Sequence, residues 1–138
     1  MSRYCTVKTE FKDDEALVQA LMETGKWTAA QIEVHQNPKH LFGYKGDRRE
    51  ETAHIIIRRK HVGNVSNDIG FVKAEDGSCE AIISKYDKSR FNDQWMARLK
   101  GSYAYHTIKR QQERCGRQVA RTRCPNTGRQ RVEVTGYR

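Results

Sequence analysis

The sequence predicts an α+β fold in one domain, residues 1–138, with two helices packed on one face of a mostly antiparallel sheet in the order β-α-β-β-β-β-α-β-β. Three observations lead there. The 138 residues suit one hydrophobic core without disulfide or metal staples. Two stretches with helical apolar spacing are set apart from runs of extended, β-branched character, which suits helices segregated to one side of a sheet. The turn signals Asp76-Gly77 and Pro125-Asn126-Thr127-Gly128 each lie between two extended segments.

Taken in order, Tyr4 to Phe11 alternates as a strand, with Cys5, Val7, Thr9 and Phe11 on one face. Asp13-Asp14-Glu15 supplies the acidic residues that favour a helix N-terminus. Ala16, Leu17, Ala20 and Leu21 follow at helical spacing, and Gly25 is the expected stop. A short strand is expected at Ile32–His35, with Asn37-Pro38 as its breaker. Lys39–Thr52 reads as a polar loop or ribbon with Leu41, Phe42 and Tyr44 embedded and a turn at Lys45-Gly46-Asp47. The three isoleucines of Ala53–Arg58 mark a buried strand.

Ile69–Ala74 and Cys79–Lys85 form a hairpin across Asp76-Gly77, where glycine supplies positive φ. In the join between the isoleucine strand and this hairpin, Asn67-Asp68 is expected to satisfy backbone groups by side-chain hydrogen bonds, and Gly70 at the hairpin's start to admit a close neighbour. Asn92 or Asp93 caps a long helix that runs to about Cys115 and stops at Gly116. Its apolar stripe is Trp95, Leu99 and Tyr103, with Met96, Ala104 and Ile108 beside it. Val119–Thr122 and Arg131–Thr135 close the chain as a basic hairpin, about 117–138.

Composition narrows the function. No stretch approaches the roughly 18 apolar residues that span a bilayer, so no membrane partner is expected. The opening MSRYCTVKTEF lacks a signal peptide's apolar segment, which places the chain in the cytoplasm, or in the stroma for a plastid protein. Cys5, Cys79, Cys115 and Cys124 contain no C-x-x-C pair, so reduced thiols are expected and a zinc site is not. The formal net charge is +9. Nine basic residues between Thr107 and Arg138 face only Glu113 and Glu133, so +7 of that charge sits in the last 32 residues. Eight of the nine are arginine, whose planar fork suits phosphate and carboxylate.

Chemical motifs are mostly missing. His54 and Asp68 are expected as neighbours on antiparallel strands, with His61 in the loop between, a grouping that could orient a general base. The competing reading of His54, His61, Asn67 and Asp68 is structural: a packed strand histidine and a turn. No serine or cysteine lies in a nucleophile setting such as G-x-S-x-G. His35 and His40 are split by Asn37-Pro38, and neither H-E-x-x-H nor an EF-hand loop is present. GYKGDRR at Gly43–Arg49 lacks phosphate-loop spacing. No catalysis, cofactor or metal is therefore expected.

The opening MSRYCTVKT, NDIGF at Asn67–Phe71 and YAYH at Tyr103–His106 resemble an uncharacterised family of small proteins. That family includes hypothetical reading frames of algal plastid genomes, with relatives in cyanobacteria, other bacteria and phages. The segment from GYKGDRR through HIIIRRKHVG resembles a bacterial or phage-like branch. The resemblance implies no known enzymatic activity, and because some relatives are encoded beside AAA+ ATPases it implies an accessory role.

The leading expectation is sequence-tolerant binding of RNA or single-stranded DNA. Lys45, Arg48, Arg49, Arg58, Arg59 and Lys60 flank the isoleucine strand, and Arg117, Arg121, Arg123, Arg129 and Arg131 follow on the hairpin. Such groups bind phosphates by displacing counterions. Phe42, Tyr44 and Tyr137 are candidates for stacking on unpaired bases. The alternative is a basic adaptor that docks on an acidic protein, an AAA+ ATPase among the candidates.

Overall fold

The computed structural model describes residues 3–123 and 130–137; within the last hairpin the described side chains are those of Arg121, Gln130, Val132 and Val134. The fold class is α+β, and the strands and long helices follow the predicted order: β1 (Tyr4–Thr9), α1 (Asp14–Gly25), β2 (Ile32–Phe42), β3 (Arg48–Ile57), the short α2 (Arg59–Val62), β4 (Ile69–Lys73), β5 (Cys79–Ser84), α3 (Asp93–Arg114), β6 (Arg117–Arg123) and β7 (Gln130–Tyr137). Contacts divide the chain into two compact units, one holding β1 to β5 and the other α1, α3, β6 and β7. No helix among the described residues is long and apolar enough to cross a membrane.

In the first unit five strands pair antiparallel in the order β1-β5-β4-β3-β2. Ile55, Ile56 and Ile57 are all buried, as expected of a strand shielded on both faces. Ile56 packs with Tyr4, Leu41, Ala53 and Ile82 in one apolar cluster. Gly70 is the close approach anticipated above: a Cβ there would lie 2.6 Å from the Ala53 Cβ and 3.0 Å from Leu41 Cδ2. Gly77, at φ +85°, turns the β4–β5 hairpin.

Pro38 does not end its strand. β2 continues through it to Phe42, and Lys39–Phe42, expected as loop or ribbon, pairs with β3. The register jumps from Val34↔Ile55 to Lys39↔Ala53, so residues 35–38 bulge opposite His54 alone. Proline has no N–H to give a neighbour, a defect that an edge strand at a bulge tolerates. β2 is such an edge.

In the second unit, Asp13 caps α1 through Oδ1, which accepts from the backbone N of Glu15 at 3.1 Å and of Ala16 at 3.3 Å. The helix runs through Gly25, and the left-handed residue that ends it is Lys26 (φ 60°), one later than expected. Gly116 (φ 76°) ends α3 where the sequence placed its stop. On α3, Trp95, Met96 and Leu99 are buried, and Tyr103 Oη accepts from the Asp13 backbone N at 2.9 Å. Ala104, expected beside the apolar stripe, is exposed, and the buried neighbour is Ser102. β6 and β7 pair antiparallel, Arg121 opposite Val132 and Thr122 opposite Arg131.

Candidate nucleic-acid interface

The first unit sorts its basic residues into inward and outward sets. Arg58, which the sequence groups with a basic run, turns inward. Its Nε donates to Glu33 Oε2 at 2.9 Å, and its Nη1 donates to Asp68 Oδ2 at 2.9 Å and to the His40 carbonyl at 3.0 Å. Its guanidinium carbon also sits 5.6 Å from the centre of the Phe42 ring. Burial would lower the Arg58 pKa, but the bonds and charges of Glu33 and Asp68 outweigh it and raise it. Burial likewise pushes Glu33 up, yet hydrogen bonds from Arg58 and His35 bring it below the usual carboxylate range. His35 Nε2 lies 2.8 Å from Glu33 Oε1.

Lys45, Arg48 and Lys60 point the other way and are exposed. Lys45 sits on the β2–β3 turn with its Nζ 5.6 Å from the centre of the half-buried Tyr44 ring. Arg49 is half-buried over Tyr4, 4.9 Å from that ring's centre, with Asp47 4.0 Å from its Nε. The corner holding Arg59, Lys60 and His61 is clipped in place from several sides. Asp68 Oδ1 accepts from the Arg59 backbone N at 2.6 Å, Trp27 Nε1 donates to the His61 carbonyl at 2.9 Å, and Arg90 donates to the Val62 carbonyl.

His54 and Asp68 do not pair, in keeping with the structural reading preferred above. Strand register sets Ile55 opposite Phe71, and the His54 ring reaches the neighbouring strand β4 at Lys73, whose backbone N donates to Nδ1 at 3.1 Å. His61 lies apart from both, its Nδ1 3.4 Å from Gln31 Nε2. Asp68 and Asn67 are instead buried hubs, 1% and 0% exposed. Asp68 Oδ2 also accepts from the Phe42 backbone N at 2.8 Å. Asn67 Oδ1 accepts from the Tyr44 backbone N at 3.0 Å, and its Nδ2 donates to Ser84 Oγ at 2.9 Å. Asp87 Oδ2 accepts from the Asn67 backbone N at 3.0 Å and from Ser84 Oγ at 2.7 Å. The dipeptide thus pins the β2–β3 turn, the basic corner and the end of β5 together, and Tyr4 Oη adds a bond to the Asp68 carbonyl at 2.8 Å.

In the second unit the backbone places Arg117, Arg121 and Arg123 on β6 and Arg131 and Tyr137 on β7. Arg129 lies outside the described residues, as do the side chains of Arg117, Arg123, Arg131 and Tyr137. Arg121 grips Glu23 of α1 with both ends of its fork, Nη1 to Oε1 at 2.7 Å and Nη2 to Oε2 at 2.8 Å. Its guanidinium carbon stacks 3.9 Å from the centre of the Tyr105 ring. Ser102 Oγ donates to Glu23 Oε1 at 2.9 Å, and His106 Nε2 stands 3.6 Å from Oε2. The Arg121 hydrogen bond, opposed by burial, pulls the Glu23 pKa from 4.5 down to about 2. That same bond raises the Arg121 pKa.

Sequence reasoning passed over Glu23, Glu33 and Ser102. One signal was present: Ser102, Tyr105 and His106 stand at i, i+3 and i+4 of α3, one side of a helix. Glu23, nearly a hundred residues from Arg121, carries no such pattern.

A family model described as Protein of unknown function (DUF1257) matches residues 28–133, most of the chain, and the protein belongs to that family. No curated protein and no solved structure matches it.

Proposed function

We propose that this member of the family is a non-enzymatic, cytoplasmic accessory protein that binds RNA or single-stranded DNA through its basic ribbon, its basic corner and its arginine-rich hairpin. The observation that carries the reading is the charge of the last 32 residues, +7 spread over the end of α3 and the two paired strands that follow it. Arginine side chains that reach solvent gain affinity by releasing counterions from phosphates. Lys45, Arg48 and Lys60, all exposed, add cations in the first unit, and Tyr44 beneath Lys45 offers a ring to an unpaired base. Arg58 contributes indirectly, by holding Asp68, which in turn fixes the basic corner.

Fluorescence anisotropy at low salt tests this, with a labelled single-stranded RNA, the matching DNA strand, its duplex and polyglutamate as competitor. The reading predicts that both single strands bind more tightly than the duplex and that polyglutamate competes poorly. Equal competition by polyglutamate would transfer the surface to an acidic protein partner.

A further inference from the structure

The carboxylate of Glu23 is shared among more groups than hold it at any moment. Arg121 fills both oxygens and Ser102 donates to one of them, while His106 Nε2 waits 3.6 Å from Oε2. That separation is too long for a hydrogen bond, and Nε2 is buried with no hydrogen-bond partner among the described residues. A buried ring nitrogen normally finds a partner. Among the described residues, the carboxylate beside it is that of Glu23, which is already taken by a guanidinium. The two-point grip of Arg121 on Glu23 is also the grip an arginine makes on a phosphate. Glu23 lies in the last turn of α1, where the helix's negative end disfavours an anion, so the helix does not help to retain the pair.

The geometry points to an exchange site: when a strand phosphate draws the Arg121 fork away from Glu23, His106 takes a proton from solvent and donates Nε2–H to the vacated carboxylate oxygen. This deepens the nucleic-acid reading above and rests on it. Among the described residues, the groups facing the His106 ring are Glu23 from α1, Arg121 from β6, and Tyr105 and Lys109 from α3 itself. Burial first, then the Arg121 and Lys109 charges, lower the pKa of the ring, against Glu23, which favours its charged form. Removing Arg121 from this balance leaves Glu23 as the dominant neighbour. The exchange keeps α1 joined to α3 through Glu23, Ser102 and His106 while the hairpin arginine is on the strand. One proton is taken up per strand bound, so affinity rises as pH falls, by at most about tenfold per pH unit.

The test is the titration of the His106 ring by NMR, run beside anisotropy with a labelled single-stranded RNA. Arg121→Gln should move the His106 midpoint up, because it removes a nearby like charge. Glu23→Gln should move it down, a second check should the first variant fold poorly. In the unaltered protein, saturating RNA should move the midpoint up, and His106→Gln should flatten the pH dependence of binding. A midpoint indifferent to Arg121→Gln and Glu23→Gln would overturn the exchange. RNA that binds while the His106 midpoint stays put would overturn it too and leave the nucleic-acid reading standing. Absence of RNA binding at low salt, seen in the anisotropy alone, would defeat that reading and the exchange with it.

Discussion

Asp68→Asn is the substitution whose cost the structure specifies most closely. The Asp68 carboxylate is 1% exposed and accepts from the Phe42 backbone N at 2.8 Å, Arg58 Nη1 at 2.9 Å and the Arg59 backbone N at 2.6 Å. An amide keeps one acceptor oxygen and sets an NH₂ where the other stood. Retaining the oxygen toward Phe42 and Arg58 turns the amide against the Arg59 N–H, two donors face to face. The opposite flip strands Phe42 and Arg58 instead. Each orphaned donor costs about 1–3 kcal/mol, and a charged one costs more. The Arg58–Asp68 pair also loses its anion, and breaking a buried pair from one side typically costs about 3–5 kcal/mol. Since these are overlapping accounts of one site, the expected loss is about 3–5 kcal/mol in total. Urea unfolding followed by circular dichroism measures it as a fall in midpoint at constant slope. His54→Gln, which disturbs only an acceptor for the Lys73 N–H, should cost about 1 kcal/mol or less. A loss under about 1 kcal/mol for Asp68→Asn would refute the reasoning, and a loss for His54→Gln equal to it would restore the polar cluster as something more than structure.

Gly70→Ala should destabilise by about 1–3 kcal/mol, because the new methyl would meet Ala53 Cβ at 2.6 Å across the packed sheet; thermal unfolding reads it, and a neutral result would mean that β3 and β4 separate freely. Glu23 makes stability pH-dependent in a stated direction. Its folded pKa of about 2 lies below the 4.5 of the unfolded chain, so its contribution is complete above about pH 4.5 and is lost as pH falls toward 2. Because the side chain is 30% exposed, solvent screening trims that contribution to about 1–2 kcal/mol. Glu23→Gln should therefore lower stability at neutral pH and flatten the acid limb, and an unchanged acid limb would contradict the pairing. The basic-to-neutral exchange Arg58→Gln should loosen the corner without removing a phosphate contact, so it should cost stability more than it changes the salt dependence of strand binding.

How much of this was legible depended on how far each interaction reaches along the chain. The buried isoleucines, the Asp76-Gly77 turn and the Gly116 stop are local features, set by β-branched packing and by positive φ, and each appears where the sequence puts it, although the isoleucine strand begins at Arg48 and not at Ala53. Pro38 misled because its effect depends on strand position: within a sheet it would break the ladder, but at a bulged edge its missing N–H costs nothing. The Asn67-Asp68 pair was readable as a satisfier of backbone groups, since short polar side chains do that at joins, but its partners in β2 and after β5 were not. Arg58 is the hardest case. A run of Arg58, Arg59 and Lys60 reads as a solvated cluster, and only the fold shows that Glu33 and Asp68 converge on the first of the three. Arg121 hides its partner in the same way, since Glu23 meets it only when α1 and β6 come together.

The most direct test of nucleic-acid binding by the hairpin is the salt dependence of strand affinity, with a labelled single-stranded RNA and anisotropy over a salt series. Arg121 should stay, because its fork also holds Glu23; the informative variant is Arg123→Gln with Arg129→Gln and Arg131→Gln. Each phosphate contact contributes about 0.7 to the slope of log affinity against log salt for a single strand, so the triple variant should flatten that slope by about two units. Its unfolding midpoint should stay close to that of the unaltered protein. No binding at low salt, or an identical slope in the triple variant, would contradict the account.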